Sequence, residues 1–595
     1  MDEVERQLVA GIRSDPEEWA AWLVYADWLS EHGDARGELI AIEHQLAVSL
    51  GGELEGTRPA STALSADERS ALQQRVRALT EAHRGAWLAG LTLPDEAKLE
   101  WRCGHIVGAW LPWGADTPAV FAALAAHPTG RLLARLDLSG NDIDPDRVRA
   151  LVAEGSLRSL RELNLSGNDI GDDGVGTLVA SEHLRSLAVL DLGDNDLRAE
   201  GARALAGAGT LPSLQRLDLG RNAIGAEGVR ALADSAHLRG LSALDLGHNA
   251  IGAEGARALA DSAHPLALSR LELDANGIGA AGIAALAGSD TLRSLTDLGL
   301  ARNALGADGV RALAASSRLG SLTALRLEYN DIRTEGARAL AASEGLRSLT
   351  ALWLRGNGIG ADGVRALLAS DDRPFTVLEL ANNDIGAEGV RALASSESLR
   401  SLTALNLEIN DIGPDGARAL ADSAHLGSLR GLHLAGNDIG DDGVHLLATS
   451  GNLRSLVQLD LRENDIGAAG AISLAGSAHL RSLSELVLAR NRIGVEGLTA
   501  LAGSDNLGAL TVLELWSSNF GDAEAQALAQ ATGLGSLTVL QLRNNGIGDA
   551  GARALASSEA LRSLADLYLE TNPIGPDGLR ALQRRRCRCS AAGGR

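Results

Sequence analysis

The chain has 595 residues, of which 45% are apolar and 22% charged, and its net charge is −23. That balance excludes a disordered chain and argues against binding nucleic acid through phosphate neutralisation. Aromatics are only 3%, so the core must be built from Leu, Ala, Val and Ile.

The N-terminal stretch MDEVERQLVAGIRSDPEEW is acidic and amphipathic, unlike a secretory signal. No apolar run is long enough to predict a membrane span. Cys103, Cys587 and Cys589 make no disulfide framework for a chain of this length, which predicts a reducing, cytoplasmic setting. Lys98 is the sole lysine, an arginine bias that suggests a GC-rich bacterial genome. Residues 1–48 read as a helical domain. Trp19, Trp22, Tyr25 and Trp28 recur at helical spacing and predict its core, and Gly33 reads as a helix stop. Residues 49–64 read as a linker. Ser65 to Glu68 reads as a capping box that opens a further helix. Residues 65–113 are read as a helical continuation and 114–130 as a cap over the first repeat. Residues 22–40, WLVYADWLSEHGDARGELI, resemble the bacterial repeat-companion domain, a short module found ahead of repeat arrays.

From Asn141 to Asn572 an Asn recurs every 27 residues, giving 17 repeats. One step is 26, between Asn357 and Asn383, where Pro374 and Phe375 lie in the connection. Ser518 holds the frame in the fifteenth repeat, which predicts a weak rung there. In residues 160–186, LRELNLSGN alternates Leu with variable residues and reads as a short strand. GVGTLVA then places apolar residues at helical spacing, so a helix packs behind it. A strand and a helix per repeat give parallel strands with helical crossovers. The Asn amide is expected to satisfy backbone groups of adjacent repeats.

The recurrent pattern LxxLxLxxNxIGxxGxxxLA, over residues 131–583, resembles the leucine-rich repeat of the ribonuclease-inhibitor-like subclass. The resemblance implies an α/β solenoid shaped as a horseshoe, with the parallel sheet concave and the helices convex. Residues 584–595, rich in Arg, read as a basic tail.

Chemistry is not apparent. The sequence carries no P-loop, HExxH or GxSxG motif, and its histidines are scattered or recur at helix ends. Neither catalytic residues, nor a cofactor, nor a metal site is expected.

Four positions per repeat, six, four, two and one before the Asn, are expected to point from the strands into the concave space. Tyr329, Trp353, Trp516 and Tyr568, all the Trp and Tyr of the array, fall on these four of 27 positions. Large exposed aromatics are typical binding anchors. With Arg326, Glu328 and Arg355 in repeats 8 and 9, and Arg543 and Glu570 in repeats 16 and 17, they form two candidate partner-binding groups. The first six repeats place Asp137, Asn164, Asp191, Asp218, Asp245 and Glu272 in the slot four before the Asn, five of them acidic, joined by Asp194 and Asp274. Neighbouring acids there repel and would steer a basic partner. The sequence thus predicts a non-enzymatic protein-binding module on the concave face, possessing no nucleic-acid or membrane surface, its partner a protein with a basic patch or, as the ribonuclease-inhibitor resemblance implies, an effector or enzyme that it regulates. The alternatives are a GTPase-activating protein and a multi-partner scaffold for a signalling or defence complex.

Overall fold

Each repeat supplies a strand of three residues and a helix of seven to ten, as in Ala324–Arg326 followed by Arg333–Ala342. The alternation decides which side is inward: Leu325 and Leu327 are fully buried, while Ala324, Arg326 and Glu328 stand on the other face. The computed structural model describes residues 3–55, 64–114, 116–153, 155–262, 264, 266–369, 373–585 and 587–590. The chain forms two compact bodies, residues 1–251 with 261–268, and residues 252–260 with 269–595.

The first body opens with four helices, α1 (Glu3–Ser14), α2 (Trp19–Glu31), α3 (Arg36–Glu55) and α4 (Ala66–Trp87). Trp22 and Tyr25 are wholly buried with Val9, Ile12 and Leu29, and Trp19 and Trp28 pack against that cluster. Gly33 follows α2 with φ of 73°, and Ser65 and Glu68 close the capping box of α4. Helix α3 carries helical backbone to Glu55, so the first part of the expected linker is helix; residues 56–63 lie outside the described residues.

Residues 65–113 are not helical throughout. Strands β1 (Lys98–Arg102) and β2 (His105–Trp110) form an antiparallel hairpin. Its two-residue turn, Cys103–Gly104, has φ of 52° and 73°, the backbone such turns require. β2 then pairs in parallel with β3 (Arg135–Asp137), so the hairpin starts the sheet, and helix α5 (Thr117–Ala126) lies between them in sequence.

In the second body the strands of repeats 6 to 17 pair in unbroken parallel register, Leu opposite Leu. The expected basic tail does not hold as a tail. Residues 588–590 form a closing strand beside Asp566–Tyr568, and the Arg585 guanidinium binds the Leu555 and Leu561 carbonyls. Residues 586 and 591–595 lie outside the described residues. Among the described residues no helix is long and apolar enough to cross a membrane.

The Asn ladder locks successive repeats. Asn330 is fully buried. Its Oδ1 accepts from the backbone N–H of Asn303 at 2.9 Å and of Leu305 at 3.3 Å. Its Nδ2 donates to the Leu300 and Leu327 carbonyls at 2.8 and 3.0 Å. Ser518 has no such reach; its hydroxyl donates to the Trp516 carbonyl at 3.3 Å. A second ladder runs along the far ends of the helices, where Ser289 and Ser343 donate to the Ala260 and Ala314 carbonyls of the preceding repeat at 2.7 and 2.6 Å. In the 26-residue repeat, Arg373 is buried and caps the Leu340 and Ser343 carbonyls at 2.7 and 2.9 Å.

Candidate functional site

The residue just before each ladder Asn adopts positive φ, a conformation that suits Gly and Asn and strains bulky side chains. Most repeats place Gly, Asn or a polar residue there. Apart from the small Ala275, the exceptions are Tyr329, with φ of 56°, and Ile409, with φ of 53°. Both are exposed, at 37% and 53%. Each leans on a glycine in the same slot of the next repeat: a Cβ at Gly356 would come within 2.5 Å of the Tyr329 ring, and one at Gly436 within 3.3 Å of Ile409.

Tyr329 is held from both sides. The Arg302 guanidinium lies 4.1 Å from its ring centroid, and Arg355 Nε donates to its hydroxyl at 3.0 Å. Next to it, the Arg326 guanidinium stands 5.5 Å from the Trp353 ring centroid, its register neighbour. The structure therefore joins these four as two pairs, Arg326 with Trp353 and Tyr329 with Arg355, on neighbouring repeats.

The arginines are not free charges. Arg326 pairs with Asp297 at 2.8 Å and with Glu272, which crosses over the bare Gly299 between them. Glu272, expected from the sequence to be a steering acid, is instead bound up with an anchor. Arg355 pairs with Glu408 at 3.1 Å, and Glu408 in turn with Arg462 at 3.0 Å. Asp274 accepts from the Ala301 backbone at 2.7 Å. Among the described residues, two carboxylates keep an oxygen that is buried and lacks a hydrogen-bond partner, Glu328 Oε2 and Glu379 Oε1. Burial, with Asp274 and Glu379 nearby, pushes Glu328 up to about 7 despite a bond from its own backbone. Burial likewise raises Glu379.

Glu408, His433 and Asp460 lie close enough for one ligand atom of each to meet within 4.8 Å. Arg462 already stands among them, 2.6 Å from Asp460. Burial would raise Asp460, but the His433 and Arg462 bonds outweigh it and hold it below its ordinary value. The cluster already contains its own cation, so it fits an arginine network better than a metal centre.

The second predicted group is joined in part. Arg543 stacks 4.4 Å from the Tyr568 centroid and pairs with Glu570 at 2.9 Å. Trp516 turns to Glu514 of its own strand, with Nε1 donating at 3.0 Å.

In the first body Asp191, Asp218 and Asp245 are register neighbours, as their spacing implied. Each also accepts from the backbone N–H two residues on, at 2.8 to 2.9 Å, and Asp137 does the same. The slot is therefore a local turn cap as well as a charge. Burial above all, with Asp218 adding, raises Asp191. Asp194 is exposed. Arg135 serves Glu100 at 2.8 Å and Glu162 at 3.4 Å rather than these acids. The same face holds a depression of about 490 Å³ lined by Lys98, Glu100, Trp110, Arg135, Asp137 and Asn164. Trp110 stands in register with Asp137, beneath the Lys98 ammonium at 5.1 Å. The helical reading of residues 65–113 hid this aromatic. Ile409 lies outside the Trp and Tyr pattern of the sequence, and its only signal there is an Ile directly before a ladder Asn.

The Leucine Rich repeat profile matches residues 156–179, 183–206, 210–233, 237–260, 291–314, 321–341, 345–368, 372–394, 398–421, 427–448, 452–475, 479–502 and 536–556. The unmatched repeats include the one holding Ser518. No curated protein matches the chain. Among solved structures, it is similar to an internalin from Listeria monocytogenes, with 17% identity, TM-score 0.28, and coverage of 76% of this chain and 95% of that one. A TLR13–ssRNA13 complex has 19% identity and TM-score 0.42, covering 84% and 67%. The ectodomain of the Arabidopsis thaliana receptor kinase GASSHO1/SCHENGEN3, in complex with CASPARIAN STRIP INTEGRITY FACTOR 2, has 16% identity and TM-score 0.29, covering 85% and 78%.

Proposed function

The chain belongs to the leucine-rich-repeat family, and from that premise we propose a non-enzymatic module that binds a partner protein on the strand face of the array. The single observation that carries the reading is Tyr329: a bulky aromatic in a strained backbone slot, exposed, and fixed in place by Arg302 and Arg355. Strain of this kind persists where function keeps it. A rigid aromatic beside arginines is the composition of an interface hot spot, and fixing it beforehand lowers the ordering cost of binding.

The partner in this reading presents a basic segment. The carboxylates of Glu328 and Glu379 stand next to the aromatic anchors, Glu379 in register with Trp353, and supply negative charge that a basic segment over this face would meet. Tyr329, Trp353 and Ile409 supply the apolar contact. In the first body, Asp137, Asp191, Asp194, Asp218 and Asp245 supply a field that speeds encounter. The array is read as ribonuclease-inhibitor-like, its sheet concave, and residues 1–48 as a repeat-companion domain that accompanies it in the cytoplasm.

Affinity capture tests the reading. The wild-type chain is used as bait in nuclease-treated lysate of the source cells, beside a Tyr329→Ala/Trp353→Ala variant checked for folding by circular dichroism. A protein held by the wild type and lost from the variant supports strand-face binding. Equal recovery by both refutes it.

A further inference from the structure

The closing strand carries two thiols that the binding reading does not use. Arg588 and Ser590 face outward, Arg588 to Asp566 at 2.7 Å and Ser590 to Glu570. Cys589 stands in register with the inward Leu567, and Cys587 is the residue that leads into the strand, two before it. Their sulfurs are 2.9 Å apart, and both residues are half-buried rather than sealed. A disulfide needs the two sulfurs at about 2.05 Å, so the two thiols already stand within reach of each other.

We propose that Cys587 and Cys589 are a reversible dithiol–disulfide site whose oxidant is a small-molecule disulfide. One cysteine thiolate attacks a sulfur of the oxidant, whose S–S bond breaks, giving a mixed disulfide and one released thiolate. The second cysteine thiolate then attacks the protein sulfur of that mixed disulfide and expels the other half of the oxidant. Two electrons pass to the oxidant, and the two cysteine protons end on its two released thiols.

Metal binding is the weaker use of the pair. Among the described residues, the cluster of three or more His, Cys, Asp or Glu ligands lies elsewhere, at Glu408, His433 and Asp460, so no third ligand joins the sulfurs. A structural staple is also the weaker use, since the loop closed is too short to constrain the unfolded chain much. The bond's effect is local: it fixes the strand whose Ser590 holds Glu570, the partner of Arg543 beside Tyr568. Burial and the adjacent Cys587 push Cys589 up to about 12, so exchange is slow at neutral pH and speeds up as pH rises. Cys103 serves as an internal control, because it is wholly buried and its thiol donates to Glu43.

The test uses the full-length protein, reduced, freed of reductant and incubated with oxidised glutathione from neutral pH to about pH 9, with intact mass and thiol titration in denaturant as readouts. The expected result is a loss of two hydrogens and two thiols, with Cys103 remaining, reversed by dithiothreitol and unchanged in Cys103→Ser. Stable glutathione adducts on the wild type would overturn the proposal. So would three surviving thiols after incubation at the highest pH, or zinc that co-purifies in proportion to the thiol pair.

Discussion

Arg355 Nε donates a 3.0 Å hydrogen bond to the hydroxyl of Tyr329, whose backbone sits at φ of 56°. The fold has no need of this arrangement, because glycine fills the same slot at Gly140, Gly167, Gly356 and Gly436 with ease. Tyr329→Gly is therefore expected to leave stability within about 1 kcal/mol of wild type, strain relief offsetting lost contacts and the added freedom of the unfolded chain. Denaturant unfolding checks this. Gly356→Ala is the opposite case: its Cβ would meet the Tyr329 ring at 2.5 Å and adopt positive φ, so it should destabilise and displace the ring.

The Asn ladder and its one exception make a matched pair. Asn330→Ala leaves the Asn303 and Leu305 N–H groups and the Leu300 carbonyl without this partner, while the Leu327 carbonyl keeps the Asn357 amide, a cost of about 3 kcal/mol or more. Ser518→Ala removes only one long bond and should cost less than about 1 kcal/mol. Chemical denaturation of both variants tests the contrast.

Glu328 sets a pH dependence. Its carboxyl is raised from the ordinary 4.5 to about 7, so the folded state holds a proton that the unfolded state releases. The associated stability is fully present below about pH 4.5 and is lost as pH rises through about 7. Subtracting the Glu328→Gln profile from wild type should isolate that fall. A cationic partner group would favour the ionised carboxylate, so affinity should rise over the same interval, and only in the wild type.

Charge and structure can be separated in the acidic row. Asn at positions 191, 218 or 245 keeps the oxygen that accepts from the backbone two residues on while removing the charge. Asp191→Asn/Asp218→Asn should fold normally and associate more slowly with a basic partner, the deficit shrinking as salt rises. Stopped-flow association at two ionic strengths reads this. An unchanged rate would make the row structural only.

What recurs in this chain was legible in its sequence. The period of 27, the buried Leu positions and the Asn ladder each repeat many times, so a single rule fixes them. The hairpin at Lys98–Trp110 occurs once, and its Cys103–Gly104 turn lacks the Asn-Gly or Asp-Gly signal that would have announced it. The closing strand is three residues long and written mostly in Arg and Cys, which carry no strand signal. Tyr329 and Trp353 were found because aromatics are scarce. Their partners were not, since Glu272 and Glu408 reach arginines two strands away over residues too small to block them. The strain at Tyr329 and Ile409 is a backbone property that residue type alone does not reveal.

The most direct test measures the affinity of the captured partner for wild type and for Tyr329→Gly/Ile409→Gly by calorimetry, alongside the melting temperature of each. Both substitutions place glycine where the backbone favours it, so folding is preserved while two anchors are removed. The account predicts an affinity loss of about tenfold or more, the scale of a hot-spot residue, at an essentially unchanged melting temperature. Equal affinity for the two proteins would contradict it and return Tyr329 and Ile409 to the scaffold.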